Sequence, residues 1–185
     1  MTREEKREWA AERRKTAIHE AGHVVIANAL GSPATGTIWP SILTCNSGVV
    51  IRGFEGSMHS GRWKNSLQIQ RRVGVAGAVA EHCWNEAIDG YYAESDFGDI
   101  YEMMSWSDRK TGQKFDGPYE QRSAGHVIDL NHSTLREEIT WRNATAWVYK
   151  QINSCTGKLW PELLREARVM IVESRGVEPV DDTMP

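Results

Sequence analysis

Cysteine is scarce in this chain. It has three among 185 residues, Cys45, Cys83 and Cys155. Their number is odd and no C-x-x-C occurs, which argues against a disulfide framework. Each reads as a small buried hydrophobe in a reducing compartment. A strong excess of one charge is also missing. The net charge is −3, and the only basic runs are Arg13-Arg14-Lys15 and Arg71-Arg72. Two short runs leave no nucleic-acid footprint and read as solvated helix faces. No apolar run approaches the roughly 18 residues of a membrane span. The segment from Met1 to Arg7 is polar and lacks the apolar core of a secretory signal. There is no internal repeat and no low-complexity tract. The expectation is a cytoplasmic protein with neither membrane nor nucleic acid as partner.

What remains is an ordinary globular balance, 40% hydrophobic and 25% charged. The length suits one domain, or one domain with an appendage. Eight Trp residues read as core and rim, or as part of an aromatic-lined groove.

Against that background one short segment stands out. His19-Glu20-Ala21-Gly22-His23 spells H-E-x-x-H. It lies in an apolar-sided stretch, Thr16 to Leu30, closed by Gly31-Ser32-Pro33, a helix stop. Residues four apart on a helix lie one turn apart on one face. His19 and His23 can therefore aim imidazole nitrogens at one ion. Glu20 sits about 100° round from His19, within reach of a metal-bound water but not placed as an equal ligand. Two neutral imidazoles suit zinc, and a carboxylate beside an open coordination position suits a general base. The competing reading is a helix with two solvent-facing histidines. It conflicts with the apolar flanks, because a buried and unpaired His-Glu-His set is costly.

Thr2 and Glu5 form a capping box that starts the helix. Residues 1–15 read as a charged helical extension, with Trp9 and Ala10 its main apolar points, either solvated or a docking surface. Residues 16–176 read as the main domain, and 177–185 as a disordered tail. Thr37-Ile38-Trp39 and Gly48-Val49-Val50-Ile51 predict two or three short strands in a small sheet, bounded by Pro40, Asn46-Ser47-Gly48 and Gly53. Glu55 to Lys64, with Gly56, Ser57, Ser60 and Gly61, predicts a loop. Leu67 to Ala87 returns to helix, and its small residues Gly74, Ala76, Gly77, Ala78 and Ala80 invite close approach of another helix. A further helix starts at Asp96, and Arg109 to Tyr119 is a loop. Ser133 or Thr134 with Glu137 caps a helix running to about Asn153, and a last helix spans Trp160 to Ser174. The fold class is α+β, mainly helical with a small sheet.

Two histidines do not complete a catalytic zinc site, which takes three protein ligands and a water. Ala29 stands where a metzincin would place its third His. The third ligand must come from downstream, from Glu81, His82, Glu86, Asp96, Asp99 or His126. Asp96 is attractive because it sits at a helix start, where a short carboxylate on a fixed backbone is well aimed.

Ala17-Ile18-His19-Glu20-Ala21-Gly22-His23-Val24-Val25 resembles the motif helix of the FtsH-type zinc peptidases, the M41 family. Val75-Ala76-Gly77-Ala78-Val79-Ala80-Glu81 resembles that family's A-G-R-A-A-E helix. Ala93-Glu94-Ser95-Asp96 with Ile100 resembles its G-A-x-N-D-I-x-x-A segment, in which the Asp is the third zinc ligand. The resemblance implies His19, His23 and Asp96 as metal ligands, Glu20 as the catalytic base, and a helical zincin-type peptidase fold. Asp99 is the rival ligand in a register shifted by three. The chain departs from the pattern at Ala78, where the family has Arg, and at Ser95, where it has Asn. It contains no G-x-x-x-x-G-K-[ST], so the chemistry carries over without the ATPase module.

The expected function is zinc-dependent endopeptidase cleavage of peptides or unfolded segments. A homo-oligomer or a separate ATPase partner would extend it to folded substrates. An extended peptide is expected to add to the edge of the Gly48–Ile51 region. Glu81 either orients a ligand histidine or is a surface glutamate. His126 and His132 read as loop or cap residues. Two alternatives stand beside this. One is a zinc-binding regulatory protein without turnover. The other is an H-E-x-x-H peptidase of another family that cuts a repressor.

Overall fold

A computed structural model of the chain describes residues 2–44, 50–60, 67–89, 135–176 and 180–181. The described residues form four helices and a small sheet: α1 (Arg3–Ala29), β1 (Ala34–Thr44), β2 (Val50–Ser60), α2 (Leu67–Asp89), α3 (Leu135–Ile152), α4 (Trp160–Glu173) and β3 (Val180–Asp181). This is an α+β architecture. Among the described residues no helix is long and apolar enough to cross a membrane.

Both ends of α1 are set by local chemistry. The Thr2 hydroxyl accepts from the Glu5 backbone N–H at 3.1 Å, and the Glu5 carboxylate accepts from the Thr2 N–H at 2.5 Å. That reciprocal box satisfies two of the helix's orphan donors. At the other end Gly31 turns left-handed, φ 76°. Its N–H donates to the Asn28 carbonyl, and the Ser32 N–H donates to the Ala27 carbonyl, a Schellman stop. The Asn28 amide then bonds both the N–H and the carbonyl of Ala34, which fixes the entry into β1. The helix is unbroken from Arg3 to Ala29, so the boundary expected after residue 15 is a change in burial rather than in structure. Most of Arg3 to Lys15 is exposed, while Ala17, Ile18 and residues 20–27 are buried.

β1 and β2 form an antiparallel hairpin paired along eleven residues each, from Ala34↔Ser60 to Thr44↔Val50. This corrects the sequence reading twice. Glu55 to Ser60 is strand, not loop. Its glycine- and serine-rich composition has low strand preference, but main-chain pairing to β1 and packing on α1 override it. Pro40 lies inside β1 instead of bounding it. β3 pairs only with Ser41 and Ile42, so among the described residues the strand is an edge on that side at Pro40, the setting in which a strand tolerates proline. The stretch read as a tail contributes β3, parallel to β1. The expected helix start at Asp96 and the loop from Arg109 lie outside the described residues, as do the cap candidates Ser133 and Thr134.

The core is built where α1 packs on α2, on α4 and on both long strands. Val24, Val25 and Ile26 of α1 are buried with Val73, Val75 and Val79 of α2, Val148 and Ile152 of α3, and Leu163 and Met170 of α4. α3 is tied to α2 by Tyr149, whose hydroxyl donates to the buried Glu86 carboxylate at 3.1 Å. The small residues of α2 serve the close approach their spacing suggests. A Cβ on Gly22 would stand 2.5 Å from the Ala76 carbonyl oxygen and 2.7 Å from the Ala80 Cβ. The backbones of α1 and α2 therefore touch at the turn that carries the motif.

Gly22→Ala forces those two backbones apart. It should lower stability by about 1–3 kcal/mol, as overpacking does. That predicts a fall in Tm of several degrees for a domain this size, measured by thermal unfolding.

Candidate metal centre

The period of α1 brings His19 and His23 together as the motif requires. Their Nε2 atoms are 3.1 Å apart, with ring centroids at 4.8 Å and planes at 74°. What each Nε2 offers is decided at the other nitrogen. His23 Nδ1 lies 2.6 Å from the Val73 carbonyl oxygen. A carbonyl only accepts, so Nδ1 carries the proton. His19 Nδ1 lies 2.7 Å from Glu81 Oε1, and an ionised carboxylate likewise only accepts. In the neutral rings both protons are therefore at Nδ1, and the two Nε2 lone pairs face each other. Two lone pairs at 3.1 Å repel unless a proton or a metal cation is shared between them. Nitrogens bound to one tetrahedral zinc at about 2.0–2.1 Å stand roughly 3.3 Å apart, close to what is found here.

One stripe of α2 makes this arrangement. Val73, Gly77 and Glu81 are spaced four apart and so share a face. Val73 supplies the carbonyl for His23. Gly77 leaves room for the His19 ring, since a Cβ there would lie 2.4 Å from its Nε2. Glu81 accepts the hydrogen bond from the His19 Nδ1–H. Of the two readings open for Glu81, orientation of a histidine is the one the geometry supports. Lys15, one turn before His19, places Nζ 3.7 Å from Glu81 Oε2, but its side chain is 63% exposed. Such a pair contributes little through solvent.

Glu20 is buried, 8% exposed. It lies beneath Gly56 of β2, where a Cβ would come within 2.3 Å of its Cγ and 2.8 Å of Oε1. The glycine that weakens β2 as a strand is the one that lets the strand pass over the carboxylate. His19, Glu20 and His23 open together into a cavity of about 470 Å³, walled by Phe54 to Met58 of β2 and by Val73, Gly74 and Glu81 of α2.

The remaining candidates separate cleanly. Asp96, Asp99, His126 and His132 lie outside the described residues. His82 and Glu86 are on α2 but not in the cavity wall. His82 Nε2 and Glu86 Oε1 are 3.0 Å apart, and Tyr149 completes that cluster. Burial and then the bond to Glu86 push the Tyr149 hydroxyl up to about 12. Among the described residues no three His, Cys, Asp or Glu side chains form a metal-holding group. The donors present are two imidazoles with fixed tautomers, and they fit a borderline-soft divalent ion such as zinc.

The Val73 carbonyl and the glycines at 56 and 77 have no place in a motif of side chains. The one readable signal was a glycine four residues before a glutamate on a small-residue helix. Replacing Glu81 by Gln removes the charge behind His19. It should weaken zinc affinity about 10–100-fold, as loss of such an outer partner does, measured by competition with a chromogenic chelator. An unchanged affinity would make Glu81 a bystander.

Compared with known proteins, the chain matches no family model and no curated protein, so the geometry of the site carries the functional reading.

Proposed function

We propose that this chain is a zinc metallopeptidase of the M41 kind, hydrolysing peptide bonds in unfolded or peptide substrates. The observation that carries the reading is the pair of Nε2 lone pairs held 3.1 Å apart by two fixed Nδ1 protons, with a buried glutamate beside them in an open cavity. His19 and His23 hold the metal, and Asp96 is the third ligand that the resemblance implies.

Zinc bound there supplies Lewis-acid activation of a water and of the scissile carbonyl. The chain's own residues do the rest. Glu20 takes the proton of the attacking water and passes it to the leaving amine. Its burial under β2 keeps bulk water away from that transfer. β2 has β1 on one side only among the described residues, so an extended peptide can add along its free edge through main-chain hydrogen bonds. The part of β2 at the cavity is Phe54 to Met58, further along than the Gly48–Ile51 stretch that the sequence suggested. A structural zinc site would be closed by four protein ligands. The open cavity and the buried base favour catalysis over a purely structural or regulatory metal.

Zinc-loaded protein should cleave an unstructured quenched peptide, and a chelator should abolish the cleavage. Glu20→Gln should keep its zinc and lose turnover about 10²–10⁴-fold; full activity in that variant removes Glu20 as base. In metal analysis Asp96→Asn should lower zinc content strongly. Unchanged stoichiometry would move the third ligand to Asp99 or a glutamate.

A further inference from the structure

The exposed half of α1 makes three contacts with a single residue of β2. The Trp9 ring lies 4.7 Å from the Phe54 ring, tilted by 56°. The Arg13 guanidinium lies over that ring at 4.8 Å. The Thr16 hydroxyl donates to the Phe54 carbonyl at 3.3 Å. Phe54 stands two residues before Gly56, on the same face of the strand, and both face α1. Phe54 is also part of the cavity wall.

The spacing has a consequence. Trp9, Arg13, Thr16 and Glu20 follow at intervals of four, three and four. At 100° per residue they fall within an arc of roughly 60°. One stripe of one rigid helix therefore carries both the anchors of the strand and the carboxylate beneath it, over about 16 Å. The Arg13 Nε is buried with no hydrogen-bond partner among the described residues. Burial and then the like charge of Arg175 lower its pKa. The ring is what holds this guanidinium in place, through cation–π attraction. A purely solvated extension has no reason to bury an arginine Nε in this way.

We infer that Trp9, Arg13 and Thr16 are positioning residues that act through Phe54 to hold β2 at a fixed height above Glu20 and the imidazole pair, so that a peptide added to the strand's edge meets the site in register. This role rests on the peptidase reading. The anchoring itself does not.

The test uses the full chain, zinc-loaded, in wild type and in the variants Trp9→Ala, Arg13→Ala, Thr16→Val and Trp9→Phe. Hydrogen exchange is read at the β2 amides, and KM and kcat are read on an unstructured quenched peptide, with zinc content measured alongside. Trp9→Ala and Arg13→Ala should speed exchange in Phe54 to Met58 at least tenfold while the α1–α2 contact keeps its protection. KM should rise about three- to tenfold, with kcat and zinc within twofold of wild type. Thr16→Val should show a smaller rise, and Trp9→Phe should stay close to wild type. Unchanged β2 exchange with unchanged KM overturns the inference. So does a loss of zinc and of α1–α2 protection together, which would mean general destabilisation. A wild-type chain that binds zinc but cleaves no peptide overturns the peptidase reading and the role of the anchored strand in it; the exchange arm then decides the anchoring alone.

Discussion

A neutral imidazole has one proton and one lone pair, and fixing the first aims the second. In this chain both protons are fixed by α2, one by the Val73 carbonyl and one by the Glu81 carboxylate. The two lone pairs are thereby driven into the same few ångströms. Nothing in α1 alone would do this, because each ring can turn about its own side-chain bonds. The arrangement needs the helices in backbone contact, which Gly22 permits, and room for the His19 ring, which Gly77 leaves. The buried valines and alanines flanking that contact supply the apolar burial that holds it. Facing lone pairs in a partly buried place are unfavourable by themselves, and a shared cation relieves them. Metal binding at this pair, as proposed, would therefore be linked to the stability of the α1–α2 contact: an ion that binds only the folded arrangement stabilises it by mass action.

The hairpin obeys a second constraint. β2 must pass close over Glu20 without a side chain in the way. Gly56 meets that need at the cost of local strand preference, which the pairing to β1 offsets. The strand is then held from below at Phe54. The Glu20 carboxylate, buried under the strand, lies next to where an edge-added chain would run. The cavity, the strand and the carboxylate thus belong to one structural unit whose floor is a single helix.

Much of this was legible in the sequence, and the reasons are local. The helix period alone puts His19, Glu20 and His23 at one end of a buried stripe. Thr2 with Glu5, and Gly31 before Pro33, mark the ends of α1 by capping chemistry that needs no tertiary information. The small residues of α2 announce a close neighbour. The hairpin was half hidden, because Glu55 to Ser60 has the composition of a loop and becomes strand only through its partner. The carbonyl of Val73 was invisible, since every residue carries one and only packing selects which is used. Trp9 was noticed as an apolar point in a charged segment, but its partner Phe54 is a non-local choice that no periodicity encodes. The third ligand is a matter of long-range placement too, and Asp96 lies outside the described residues.

The two histidines are not equivalent, and the difference follows from what stands behind each. His19 donates its Nδ1 proton to a carboxylate, a charge-assisted bond. His23 donates to a peptide carbonyl, a neutral dipole. A negative acceptor raises the electron density of the ring more, so His19 is the stronger electron-pair donor at Nε2. Glu81 also brings a negative charge within one ring's width of the metal position, offsetting part of a divalent ion's charge. Lys15 does little to cancel it, because its ammonium is largely in water. His23 lies deeper, 5% exposed, and its orientation is set by main chain, which no side-chain substitution removes. If a metal binds here as proposed, His19 would be the electronically stronger ligand and His23 the geometrically fixed one. Under that proposal Glu81 would tune affinity through His19, while the Val73 carbonyl would keep the geometry at His23.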